Sequence, residues 1–248
     1  MVLKNSSIPI RLAVIGAFGR MGQIVVKEAL EDPCVNLCAL VSKEFRKDFL
    51  KTIPINQIDS IMEDVDLLID FSSPDAICDY IPIVKDYPAA LVIGTTDLQQ
   101  KHYTLLEEAA YTSPIMHASN FSFGIFLLRE LLQTIVNYSP KCQIGITETH
   151  HKEKRDRPSG TAKNLCSQLQ SIQKSIAIRS FRRKSTLGIH KVNIHLEDED
   201  ITISHSAKNR LIFANGSIQA GKWLIKQPPG KYTIEDYFSC NKKSFISG

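Results

Sequence analysis

"AVIGAFGRMG", residues 13–22, is the stretch on which the fold turns. An apolar run ends in three glycines, Gly16, Gly19 and Gly22, spaced G-x-x-G-x-x-G, and the amphipathic "RMGQIVVKEALED" continues from them. Glycines at such a junction permit a tight turn and let backbone N–H groups approach a pyrophosphate, which the positive end of a helix also attracts. Phe18 stands where the commoner G-x-G-x-x-G has its second glycine, so the triplet by itself also fits a plain strand-to-helix turn.

Working outward, the surrounding chain favours the nucleotide loop. From Arg11 to about Ala118, short runs rich in Val, Ile and Leu ("RLAVI", "VNLCALV", "DLLIDF", "ALVIG", "PIMHA") alternate with the longer "PDAICDYIPIVKDY" and "LQQKHYTLLEEAAY". That alternation predicts βαβ units on a parallel sheet, whose strands are apolar throughout because both faces are covered. After "SNFSFG" (119–124) the pattern changes. "IFLLRELLQTIVNY" predicts a helix, "KCQIGITETH" a strand and "SGTAKNLCSQLQSIQK" another helix. "GIHKVNIHL" and "ITISHSA" flank the acidic Glu197 to Asp200 and predict antiparallel pairing across a solvated turn. "NGSIQAGKWLIKQ" predicts a last helix with Asn215 as its cap. The expected class is α/β: a Rossmann-type parallel sheet followed by a smaller α+β part.

Composition narrows the function. With 248 residues, 43% hydrophobic and 23% charged, the chain has the balance of a soluble globular protein with a sizeable core. A net charge of +4 is well short of a dedicated nucleic-acid binder and suits small acidic substrates better. The six cysteines show neither Cys-x-x-Cys nor zinc spacing, so buried free thiols in a reducing cytoplasm are expected. The run from Leu12 to Ile15 is too short for a bilayer, and no membrane or secretion segment is expected.

Ligands of open α/β sheets sit at the carboxyl ends of the strands, where "DFSSP" (70–74), "GTT" (Gly94, Thr95, Thr96) and "ASNF" (Ala118, Ser119, Asn120, Phe121) fall. Small and hydroxylated residues there let a flat nicotinamide and its ribose approach. The second strand ends "LVSKE". Ser42 and Lys43 precede any acid, and a hydroxyl with a cation suits a 2′-phosphate, which favours NADPH over NADH, although Lys43 also fits a solvated loop.

A second cluster lies in "ETHHKEKRDRPSGTAK", residues 148–163. Ser159, Gly160 and Thr161 follow Pro158 at a helix start, a cradle for a carboxylate, or in Ser159 a simple cap. Lys154 and His151 supply a second pole for a dianion, unless they only face water. His150 and His151 point to opposite faces if the strand continues through them, so one can transfer a proton while the other orients the ligand. No third ligand at useful spacing supports a metal, and the basic neighbours oppose a cation.

These residues resemble the 4-hydroxy-tetrahydrodipicolinate reductase (dihydrodipicolinate reductase) family of the diaminopimelate and lysine pathway. "GAFGRMG", "DFSSP", "VIGTT" and "SNFSFG" are similar to its nucleotide-domain segments, and "ETHHKEKRDRPSGTA" to its signature E-x-H-H-x-x-K-x-D-x-P-S-G-T-A. The resemblance implies that His150 is the proton donor and acceptor and Lys154 its catalytic partner. It implies that His151, Gly160 and Thr161 bind the substrate carboxylates. Gly16, Ala17, Phe18, Gly19, Arg20 and Met21, with residues 94–96 and 118–121, would contact the dinucleotide. Hydride from NAD(P)H would reduce a cyclic imine dicarboxylate formed with loss of water.

The family fold implies a dinucleotide-binding domain of residues 1–120 and 215–248 and a substrate-binding and oligomerisation domain of 121–214. It further implies a homotetramer and a closing hinge at "SNFSFG". Three departures stand out: Asp97 replaces a usual glycine; the segment between Ile176 and His190 is shorter than usual and carries "RSFRRKSTLGIH" for a glycine-rich run, so a trimmed tetramer sheet or loop is expected; and "VSKE" stands where the family often has an acid–arginine pair, which leaves NADPH or NADH open. Another two-domain NAD(P)-dependent oxidoreductase explains residues 1–120 but not the signature. A dinucleotide-binding redox sensor that regulates transcription would need a helix-turn-helix, for which there is no candidate.

Overall fold

The computed structural model describes residues 8–43, 51–154, 156–169, 176–184 and 186–241. The chain divides into two compact units, residues 1–121 with 213–248, and residues 122–212.

The first unit is built on β1 (Ile10–Ile15), α1 (Gly22–Glu31), β2 (Val35–Ser42), β3 (Thr52–Pro54), a 3-10 segment (Ile55–Asp64), β4 (Leu67–Asp70), α2 (Pro74–Val84), β5 (Ala90–Ile93), α3 (Gln100–Ala109) and β6 (Pro114–His117). The sheet order is β11-β6-β5-β4-β1-β2-β3, with β11 (Gly230–Tyr232) added at the edge, and all its neighbours pair in parallel. The order reverses between β1 and β4, the switch point at which such sheets take their ligands. Strands β4 and β5 are buried at every position, as strands covered on both faces must be.

Start signals are local. Ser73 caps α2 by accepting from the Ala76 N–H, with Pro74 in the first turn. Helix α1 differs, having no side-chain cap and no acidic residue in its first turn.

The second unit contains α4 (Phe123–Tyr138), β7 (Gln143–His150), α5 (Gly160–Leu169), β8 (Ala177–Arg182), β9 (Ile189–His195) and β10 (Asp200–Ser206). The sheet order is β10-β9-β7-β8. Its inner face, with Ile144, Ile146, Val192 and Ile194, forms one core with Leu128, Leu132 and Val136 of α4 and Leu165 and Leu169 of α5. Burial of each such side chain contributes about 1.5–3 kcal/mol. The outer face presents Phe181 to solvent, 47% exposed.

Strands β9 and β10 pair antiparallel across the exposed acidic turn as expected. Two expectations need correction. Asn215 lies inside α6 (Leu211–Leu224), and the Asn209 side chain instead accepts from the Leu211 N–H at 3.0 Å. The helix therefore begins four residues earlier than its most recognisable motif. Only Cys142 and Cys166 are buried among the six free cysteines, while Cys34 and Cys240 are exposed. The segment that replaces the glycine-rich run supplies β8, paired in parallel with β7. The short α7 (Ile234–Cys240), capped reciprocally by Thr233 and Asp236, carried no periodic signal long enough to predict. Residues 170–174 and Glu44 lie outside the described residues.

Candidate active site

In the first unit, the loop after β1 is shaped by what its glycines touch. Gly16 has φ +74°, and a Cβ there would stand 2.6 Å from the Phe71 carbonyl oxygen, so the backbone of β1 passes directly against that of β4. A Cβ on Gly22 would stand 2.1 Å from the Gly16 carbonyl oxygen. Gly19 is different. It is exposed, and its Cβ would meet the Gly16 oxygen at 3.2 Å and the Phe71 oxygen at 3.8 Å, both on one side. Gly16 and Gly22 thus make the turn, and Gly19 leaves its outer side open to a ligand. Among the other loop residues, Ala17 is buried, Phe18 and Met21 are half-buried and Arg20 is exposed.

Phe71 joins three of the expected segments. Its ring fills the space where Gly94 would carry a Cβ, and it meets the buried Phe121 ring edge-on at 6.0 Å. Gly94 therefore accommodates Phe71, and Phe121 is a packing residue at 2% exposure. Thr95 is buried and donates its hydroxyl proton to Asp70 at 2.7 Å. Asp70 also accepts from the Ser72 N–H at 2.9 Å, and burial pushes its carboxyl up to about 6. Thr96, Ser119 and Asn120 are half-buried, and Ala118 is buried with its N–H bonded to the Ile93 carbonyl. At the end of β2, next to β1, Ser42 is half-buried and Lys43 exposed.

A nicotinamide dinucleotide fits this half. The start of α1 has no side-chain cap and no carboxylate to repel a pyrophosphate from its positive end, beside the exposed Gly19 whose missing side chain permits approach.

In the second unit, the period of β7 puts Glu148 and His150 on one buried face, at 0% and 6% exposure. His150 Nδ1 is hydrogen-bonded to Glu148 Oε2, and Arg182 Nη1 donates to Glu148 Oε1 at 2.9 Å. Burial pushes Glu148 up, but the bonds from His150 and Arg182 outweigh it and hold the carboxyl at about 2. Opposite Glu148 in β9 stands His190, its ring centroid 5.1 Å from that of His150. Burial, then the neighbouring His150 and His205, hold His190 down to about 3, so it is neutral.

The loop after β7 carries the rest. Lys154 Nζ lies 2.8 Å from Asp156 Oδ1. Burial raises the Asp156 carboxyl, but the Lys154 ammonium outweighs it and keeps the group below its ordinary range. His151 follows the strand half-buried. Ser159 is 1% exposed and accepts from the Ala162 N–H at 3.2 Å, so its hydroxyl serves as the cap of α5. The Gly160 N–H donates to Asp156 Oδ2 at 3.1 Å, which gives this amide a protein partner. Thr161 is buried at 6% exposure.

One argument from spacing is corrected. Glu148, His150 and His190 bring ligating atoms within 4.8 Å of one another, so a third metal-type ligand does exist, supplied by a strand pairing that spacing cannot reveal. Both carboxylate oxygens of Glu148 are engaged, one by the Arg182 cation, which opposes a metal there. Glu148 and Asp156 were inside the quoted signature without an assigned role. Arg182 and His190, in segments read only as strand or loop, gave no local signal at all.

Residues 10–121 match the family model described as dihydrodipicolinate reductase, N-terminus, and residues 124–238 match its C-terminus. The chain belongs to the dihydrodipicolinate reductase family. It is accordingly a nicotinamide-dependent oxidoreductase with a Rossmann-type fold. Curated relatives named 4-hydroxy-tetrahydrodipicolinate reductase agree: that of Helicobacter hepaticus is 31% identical, covering 92% of this chain and 98% of its own. That of Bdellovibrio bacteriovorus is 33% identical, over 94% and 99%. In structure, a dipicolinate-bound dihydrodipicolinate reductase from a Paenisporosarcina species superposes with a TM-score of 0.74 at 20% identity, over 92% of this chain and 99% of that one, which speaks to the fold. No helix among the described residues is long and apolar enough to cross a membrane.

Proposed function

We propose that this chain reduces 4-hydroxy-tetrahydrodipicolinate to tetrahydrodipicolinate with NAD(P)H, in diaminopimelate and lysine biosynthesis. The observation that carries the reading is the intact signature in a chain matched by both family models, its buried histidine held by Glu148, its half-buried lysine by Asp156, and the two joined through Arg182. The substrate is a small dicarboxylate that loses its hydroxyl as water and leaves a conjugated cyclic imine. Bound NAD(P)H supplies the hydride. His150 supplies the accompanying proton, so one hydride and one proton enter the ring for each water lost. Lys154 holds a carboxylate and assists that proton transfer, and His151, Ser159, Gly160 and Thr161 form the rest of the carboxylate site. For Ser159 and Gly160 this role is indirect, since their polar atoms position Asp156 and the start of α5.

The dinucleotide lies along Gly16 to Met21, residues 94–96 and 118–121, and NADPH is preferred because Ser42 and the exposed Lys43 suit a 2′-phosphate. The domain roles follow: residues 1–120 and 215–248 bind dinucleotide, and 121–214 bind substrate and assemble a homotetramer through the outer face of the second sheet, where Phe181 lies exposed. Six free cysteines fit a reducing cytoplasm.

The experiment is NADPH and NADH oxidation, followed by absorbance, with substrate generated in place from pyruvate and aspartate semialdehyde by the preceding synthase. Rapid substrate-dependent oxidation, faster with NADPH, is expected. Folded protein that oxidises neither cofactor overturns the reading.

A further inference from the structure

The geometry points to Glu148 and Arg182 as positioning residues that fix the His150 ring so that Nε2 alone exchanges a proton with the substrate. This rests on the proton-transfer role of His150 proposed above.

Glu148 engages only one nitrogen of His150. Its Oε2 takes Nδ1, and its Oε1 is held by Arg182 at 2.9 Å. A carboxylate held near 2 is ionised throughout the working range, so Nδ1 must be the protonated nitrogen, and the second proton of the imidazolium comes and goes at Nε2. That atom faces Gly188, where a Cβ would lie 3.2 Å away, and the absent side chain leaves the nitrogen approachable.

Arg182 has a second task. Its Nε donates to the Lys154 carbonyl at 3.3 Å and its Nη2 to the Asp156 carbonyl. One guanidinium therefore ties the carboxylate behind His150 to the loop that presents Lys154. Arginine suits this place because its three nitrogens each reach a different acceptor, whereas a lysine would have to serve all three from one nitrogen.

Charged and titratable groups pack around the ring from four strands and the following loop. Glu148 is on β7, Arg182 on β8, His190 on β9 and His205 on β10, with the Lys154–Asp156 pair on the following loop. Burial lowers both His190 and His205, so neither competes for the proton.

The test compares wild type, Glu148→Gln and Arg182→Lys by steady-state kinetics across pH, by NADPH titration and by nitrogen-15 NMR of the histidine rings. In wild type the His150 ring should show a single Nδ1–H tautomer. Glu148→Gln should lower kcat by about 10²–10⁴-fold, with substrate KM and NADPH affinity little changed, as for other carboxylates that orient a histidine. The tautomers should then mix. Arg182→Lys keeps the charge and should give a partial loss of kcat with a partial mixing of the tautomers.

Folded Glu148→Gln with unchanged kcat and a single Nδ1–H tautomer overturns the proposal. If that variant does not fold, Arg182→Lys is read in the same way. If neither folds, an Nε2–H or mixed tautomer in wild type is decisive against it. A wild-type protein with the Nδ1–H tautomer fixed but no NAD(P)H oxidation would sink the reductase reading and leave the positioning arrangement standing.

Discussion

Thr95 donates its hydroxyl proton to Asp70 at 2.7 Å, clasping the loop after β5 to the end of β4. The Ser72 N–H donates to the same carboxyl, so two loops expected to line the nicotinamide depend on one buried acid. Because burial raises Asp70 to about 6, the native state keeps a proton that the unfolded chain releases near 4. The sign follows: this group's contribution is full below about pH 4 and declines as pH rises to about 6, by about 3 kcal/mol for a two-unit shift. Asp70→Asn should remove that decline. Denaturant unfolding of both proteins at several pH values checks it, and parallel curves would count against the assignment.

The glycines of the first loop should separate fold from binding. Gly22→Ala forces a Cβ to within 2.1 Å of a carbonyl oxygen, with backbone on both sides of the clash, and should cost several kcal/mol of stability. Gly19→Leu, on the exposed side, should leave the melting temperature within a few degrees and weaken NADPH binding at least about tenfold. Calorimetry and cofactor titration on the two variants read out this split.

Asp97 adopts φ +68°, the one left-handed backbone among the described non-glycine residues. Left-handed geometry costs an L-residue about 1–2 kcal/mol, of which glycine gives back about 0.5–1 through its freer unfolded chain. Asp97→Gly should therefore raise stability by about 0.5–1 kcal/mol, whereas the β-branched Asp97→Val should lower it. Thermal denaturation of the pair decides the sign.

Lys154 lies 2.8 Å from Asp156, whose other oxygen accepts from the Gly160 N–H. Lys154→Ala should reduce turnover by about 10²-fold or more while NADPH affinity stays as in wild type. Lost NADPH affinity instead would show that the two sites are misassigned.

The alternation of strands and helices, the glycine turn and the run from Glu148 to Lys163 are local patterns, and neighbouring residues in the chain are enough to read them. Their period told which segments are strands and that residues two apart share a face. It could not say which strand lies beside which. His150 meets Arg182 and His190 because β7 pairs with β8 on one side and β9 on the other, in registers that oppose His150 to Arg182 and Glu148 to His190. The cap role of Ser159 was open to local reading, whereas the engagement of Gly160 by Asp156 needed the loop's closure. Sequence by itself determined the class of fold and the family, and it gathered the candidate histidines and lysine in one short run. Only the tertiary structure decided which nitrogen of His150 is held and what holds it, because strand pairing is settled by the burial of whole sheet faces and not by the side chains it happens to bring together.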